Sequence, residues 1–155
     1  MPNVWPNTMN HYGVVLEEIG FSDFLLALRE NYVKPLAEII YPDFGKKIVE
    51  HHGFMVKYKL GEDANLAMHY DSSLITLNVC VGKEFTGGTL FFRGLLLDPS
   101  SCDEDFEYTH IKGKALLHLG GHYHGANNIQ SGTRYNLILW CRGECNPKNI
   151  NLSKF

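Results

Sequence analysis

The chain has 155 residues, 45% of them hydrophobic and 20% charged, a composition that suits one globular domain with a sizeable core and argues against a second domain. Lys and Arg number 14 against 17 Asp and Glu, a net charge of −3, so the basic footprint of a nucleic-acid binder is missing. No run approaches the ~18 apolar residues of a membrane span, and no basic stretch followed by an apolar core opens the chain, so a cytoplasmic protein without a membrane partner is expected.

In chain order, the sequence divides into a helical preface (1–52), a β-rich core (53–143) and a tail (144–155) of a single domain. From Ser22, a candidate cap, Phe24, Leu25, Leu28 and Tyr32 recur at helical spacing. Pro35 is expected to bend or end this helix, with Leu36 to Ile40 adding a further turn or two, and the stripe is expected to pack on a sheet. After Gly53 the pattern changes to short runs punctuated by glycine. The strands read from it are Phe54–Leu60, Leu66–Tyr70, Leu74–Val81, Thr89–Arg93, Phe106–Ile111, Lys114–Leu119 and Arg134–Cys141. Seven short strands behind helices predict a mainly β barrel or jelly roll. Gly87-Gly88 reads as a tight hairpin, and Leu97 to Asp105 as an exposed loop. Four cysteines (Cys80, Cys102, Cys141, Cys145) form no CxxC pair and read as reduced thiols.

The chemistry concentrates in the β-rich part. His69-Tyr70-Asp71 offers an imidazole and a carboxylate at i and i+2, which on a strand project from one face. Gly120-Gly121-His122-Tyr123-His124-Gly125 supplies a second histidine far enough away to lie on another strand. Two histidines and one carboxylate form a facial triad that leaves positions open and suits non-haem Fe(II), although the ligands alone also permit zinc hydrolysis. Of the two downstream histidines His124 is the expected ligand, with His122 behind it or facing substrate. Arg134 opens an apolar strand ten residues later, where a cation would point into a barrel and require a carboxylate partner. A dicarboxylate that chelates iron at its 2-oxo acid end and reaches Arg134 with its far carboxylate explains both features. Asn78, at an even offset from Thr76, reads equally as a contact to such a ligand or as a satisfied core amide. His51, His52 and His118 have no partners at useful spacing and read as surface or structural.

His69-x-Asp71, His124 followed by Gly125, and Arg134 ten positions on resemble the prolyl and lysyl hydroxylase branch of the Fe(II)- and 2-oxoglutarate-dependent oxygenases. Phe54-Met55-Val56-Lys57-Tyr58, His69-Tyr70-Asp71-Ser72-Ser73-x-x-Thr76-x-Asn78, Gly87-Gly88, His122-Tyr123-His124 and Gly132-Thr133-Arg134-Tyr135 are similar to lysyl hydroxylase catalytic domains. The resemblance implies a double-stranded β-helix (jelly roll) with the N-terminal helices packed on one side. It implies iron on His69, Asp71 and His124, the far carboxylate of 2-oxoglutarate on Arg134 and Tyr58, and Trp140 near that same end of the pocket. The implied activity is a dioxygenase hydroxylating an unactivated C–H with release of succinate and CO2, ascorbate serving as reductant and a peptidyl proline or lysine as substrate. Two alternatives stand beside it: an oxygenase of a small molecule, and a silent scaffold.

Overall fold

The computed structural model describes residues 5–143; the tail read at 144–155, including Cys145, lies outside the described residues. A short strand, β1 (Gly13–Val15), precedes α1 (Ser22–Leu28), a π-helical turn (Arg29–Val33), α2 (Lys34–Ile40) and α3 (Pro42–Gly45). Then follow β2 (Glu50–Lys59), β3 (Leu66–His69), β4 (Ile75–Gly82), β5 (Phe85–Gly87), β6 (Leu90–Leu95), β7 (Phe106–Tyr108), β8 (Ala115–Leu119), β9 (His122–Ala126) and β10 (Ile129–Arg142). One antiparallel sheet runs β1-β2-β10-β4-β8, with β5 against the first part of β10, and the second runs β3-β9-β6-β7. This is the jelly roll expected.

The long strand β10 shows how the sequence sets the two faces. Its odd positions Leu137, Leu139 and Cys141 join Leu25, Val33, Ala37, Ile75 and Leu77 in a core beneath the helices. Its even positions Arg134, Asn136, Ile138 and Trp140 line a cavity on the other side. Both faces are covered, so the run reads as nearly continuous apolar residues with two polar interruptions. Leu25 and Leu139 have no exposed surface, and truncating either to Ala costs about 2–5 kcal/mol through lost burial and the cavity left behind. Helix α1 approaches so closely that a Cβ on Gly53 of β2 would stand 2.5 Å from Leu25 Cδ1.

Several elements differ from expectation. Ser22 makes no capping bond; it is the first residue of α1 rather than its cap. Pro35 does not end the helix, because it follows a π turn in which Lys34 N–H bonds Arg29 O, and it sits near the start of α2 where its missing N–H costs least. That extra residue also shifts the phase. Counting by 3.6 from Leu25 puts Tyr32 and Leu36 on the buried face, whereas Val33 and Ala37 occupy it and Tyr32 is 64% exposed. The strands β1, β5 and β9 were not among those read from sequence: two have three residues, and β9 carries polar rather than alternating apolar side chains. Gly87-Gly88 closes no hairpin. β5 pairs with β10 and β6 with β9 and β7, so the two glycines, at φ 72° and 67°, carry the chain from one sheet to the other. Cys80, Cys102 and Cys141 are free thiols.

Candidate metal and dicarboxylate site

His69 ends β3 and is paired in register with His124 of β9, which brings their rings to 4.3 Å between centroids. Asp71 lies past the end of β3, so strand alternation is not what aims it. Its N–H donates to Gly120 O at 2.9 Å, and this bond holds the carboxylate beside the Nε2 atoms of both rings. His69 Nε2 stands 3.5 Å from Asp71 Oδ1 and His124 Nε2 3.7 Å from Oδ2; the three candidate ligand atoms all lie within 4.8 Å of one another.

The surroundings prepare these groups for a cation. His69 Nδ1 faces Ala67 O and His124 Nδ1 faces His122 O, both at 2.8 Å, so each neutral ring keeps its proton on Nδ1 and turns a bare Nε2 toward Asp71. Thr76 Oγ1 donates to Asp71 Oδ2 at 2.6 Å. Burial pushes the His124 pKa down to about 4. Burial of Asp71 opposes ionisation, but whenever the neighbouring histidines are protonated the His69 hydrogen bond, then the charges of His124 and His118, outweigh it and hold the carboxyl below its usual value. An ionised carboxylate beside a neutral His124 is the protonation state a divalent ion requires.

Arg134 enters the same cavity from β10, paired across the sheet with Tyr58 of β2. It is 1% exposed, its guanidinium carbon stands 4.4 Å from the centre of the Tyr58 ring, and its Nη1 donates to Gly88 O. Gly88 is required there: a Cβ would stand 2.7 Å from Arg134 Nη1. No ion pair among the described residues includes Arg134. Among the described residues its Nε has no hydrogen-bond partner, and the same is true of buried Asn136 Oδ1, His110 Nε2, His118 Nε2 and Trp140 Nε1. A buried cation without a carboxylate, among so many unpaired polar atoms, fits an acidic ligand in the cavity. Tyr58 Oη accepts from Asn10 Nδ2 at 3.4 Å, which leaves the phenolic proton to donate. Asn78 Oδ1 accepts from Asn136 Nδ2 at 2.6 Å, and both amides are buried against the cavity.

Other expectations need correction. Trp140 lines the cavity, but six residues beyond Arg134 and across from Thr76, so it stands toward the Asp71 end, about 20 Å along the strand from Arg134. His122 turns its Nε2 to Glu104 Oε2 at 2.9 Å, and only His124 joins the cluster. His51 contacts Arg29 and His52 stands near Glu17, as structural groups would. His118 does not fit that description: it is 4% exposed, with Nε2 4.0 Å from Asp71 Oδ2. His110, absent from the sequence reading, is buried near Asn136, and its pKa is pushed down to about 3 by burial and then by Arg134. Nothing in the spacing of either histidine signals these positions: the pairing of β8 with β4 brings His118 there, and the segment that follows β7 brings His110.

The jelly roll, the His-Asp-His cluster and the buried arginine in one cavity define the iron and 2-oxoglutarate oxygenase class. Comparison with known proteins agrees. Residues 1–46 match the OGFOD2-like domain. The mouse (Mus musculus) 2-oxoglutarate and iron-dependent oxygenase domain-containing protein 2 is 46% identical over 144 residues, covering 92% of this chain and 41% of that protein. The rat (Rattus norvegicus) multifunctional procollagen lysine hydroxylase and glycosyltransferase LH3 is 34% identical over 128 residues, 79% of this chain and 16% of that protein. A crystal structure of a 2OG-Fe(II) oxygenase family oxidoreductase from Burkholderia pseudomallei superposes with TM-score 0.60 at 13% identity, over 78% of this chain and 57% of that one. The chain belongs to the 2-oxoglutarate and iron-dependent oxygenases, and it spans less than half the length of these two sequence relatives. No helix among the described residues is long and apolar enough to cross a membrane.

Proposed function

We propose that this chain is an Fe(II)- and 2-oxoglutarate-dependent dioxygenase that hydroxylates a peptidyl proline or lysine. The observation that carries the reading is Arg134: a buried cation with no carboxylate partner among the described residues, in the same cavity as the His69, Asp71 and His124 cluster. His69, Asp71 and His124 would hold iron, which when bound supplies the activation of dioxygen. Arg134 and Tyr58 would bind the far carboxylate of 2-oxoglutarate by charge-assisted bonds, with Asn78 and Asn136 beside it. Phe54, Leu90 and Ile138 line the same cavity and exclude water from the ligand. The overall change balances as R–H + O2 + 2-oxoglutarate → R–OH + succinate + CO2.

The substrate class rests on the shape of the site and on the relatives. The cavity is roughly 160 Å³, below the ~300–1,000 Å³ typical of small-molecule pockets, so it suits 2-oxoglutarate by itself and leaves the group to be hydroxylated to reach in from outside. A wider groove of roughly 450 Å³ adjoins it across Tyr70, Asp71 and Ser72 and runs past Leu74 and Leu95–Leu97, a surface suited to an extended chain. The name of the procollagen lysine hydroxylase relative points the same way.

The test is anaerobic titration with Fe(II) and 2-oxoglutarate, followed by oxygen and proline- or lysine-containing peptides. A visible charge-transfer band, succinate formation and a peptide gaining one oxygen atom are expected. Iron binding with neither band nor succinate would refute the oxygenase reading; succinate without any modified peptide, alongside turnover of a small molecule, would refute the peptidyl substrate.

A further inference from the structure

His118 is used by nothing described so far. It lies on β8, directly paired with Thr76 of β4, and both side chains point into the barrel at the same Asp71 oxygen. Thr76 Oγ1 donates to that Oδ2 at 2.6 Å, and His118 Nε2 stands 4.0 Å from it. The relation is rigid, because Asp71 N–H bonds Gly120 O and Gly120 N–H bonds Leu74 O, which ties the end of β8 to the loop carrying the carboxylate.

His118 repeats the hydrogen-bond pattern of the two candidate ligands. Its Nδ1 faces Leu119 O at 2.9 Å, so in the neutral ring the proton sits there and Nε2 presents a lone pair. That nitrogen is buried and has no partner among the described residues. A bare imidazole nitrogen and a carboxylate oxygen are both acceptors, so they repel unless a donor lies between them. A molecule with two O–H bonds, placed ~2.8 Å from each, spans a gap of this size at an angle of roughly 90°, somewhat tighter than that of water. His118 does not belong to the tight group of three ligand atoms, which argues against its being a fourth ligand.

We propose that His118 is a positioning residue of the metal centre, its Nε2 and Asp71 Oδ2 together accepting both protons of a water molecule on the open side of the ion. This rests on the assignment of His69, Asp71 and His124 as ligands. It gives the site a third imidazole that acts through hydrogen bonding, holding the exchangeable ligand in one direction and the carboxylate in one rotamer.

Titration with Co(II) by visible absorbance, without 2-oxoglutarate, tests it. His118→Phe keeps a ring and loses the acceptor, and is expected to weaken Co(II) binding about 10- to 100-fold. His118→Gln, which restores an acceptor oxygen, is expected to recover most of the loss. Pulsed EPR of the Mn(II)-loaded protein in D2O, with ¹⁵N-labelled histidine, supplies a readout other than affinity, and its count of bound imidazoles is made on the wild type. It should show two directly bound imidazoles and a bound-water deuteron coupling, and that coupling should change in His118→Phe. Three bound imidazoles, or His118→Phe binding Co(II) as the wild type does with unchanged couplings, would overturn the proposal. Failure of the wild type to bind Co(II) at all would instead remove the ligand assignment beneath it.

Discussion

Replacing Arg134 with Met separates ligand binding from folding. In the ligand-free protein the guanidinium is 1% exposed with no carboxylate partner among the described residues, a desolvation cost of several kcal/mol. Against it stand the Tyr58 stacking, worth about 2 kcal/mol when desolvated, and the bond to Gly88 O, about 1.5–3 kcal/mol. These nearly cancel, and Met fills most of the same volume, so the ligand-free variant should melt within about 4 °C of the wild type. Binding behaves differently. Losing two charge-assisted bonds to a carboxylate, about 1.5–3 kcal/mol each, weakens 2-oxoglutarate roughly 10²- to 10⁴-fold. At a hundred times its Kd the co-substrate should stabilise the metal-loaded wild type by about 2.7 kcal/mol. For a chain of this length that is roughly 5–10 °C, and the variant should show less than about 2 °C of it at the same concentration. Differential scanning fluorimetry with Mn(II), with and without 2-oxoglutarate, measures both quantities. A full ligand-dependent shift in Arg134→Met would refute the role given to the arginine, and a collapse of the ligand-free variant would show that the cation is structural.

Two further outcomes follow from the same geometry. Thr76→Val preserves shape but removes the proton that Asp71 Oδ2 accepts at 2.6 Å; divalent metal affinity should fall about 10- to 100-fold, which calorimetric titration with Mn(II) checks. Because burial lowers the His110 pKa to about 3 from its ordinary 6.5, the unfolded chain takes up that proton first as pH falls. Its share of stability is therefore complete above pH 6.5 and declines below it, down to about 3. Urea midpoints between pH 7 and 5 should fall in the wild type, and the slope should flatten in His110→Gln.

Much of the site was legible because its chemistry is local in sequence. His69 and Asp71 are two residues apart, and the polar even positions of β10 interrupt an otherwise apolar run at Arg134 and Asn136. Residue types thus pointed to the donor set, and period 2 to the buried position of Arg134 and the β-rich core, whereas the aim of Asp71 comes from its N–H bond to Gly120 O. What spacing could not disclose is which strands become neighbours. His118 meets Asp71 only because β8 lies beside β4, and Tyr58 lies under Arg134 only because β2 lies beside β10. Likewise the helix face turned by one residue at a π turn, since widening a helical turn to accommodate Pro35 changes the phase of everything after it. The placement of Trp140 was within reach of the sequence, because six residues along one strand separate it from Arg134 by about 20 Å. The sequence determined which side chains are chemically able to hold a metal ion and a dicarboxylate. The sheet pairing, whose energetics depend on contacts far apart in the chain, decided where each one stands.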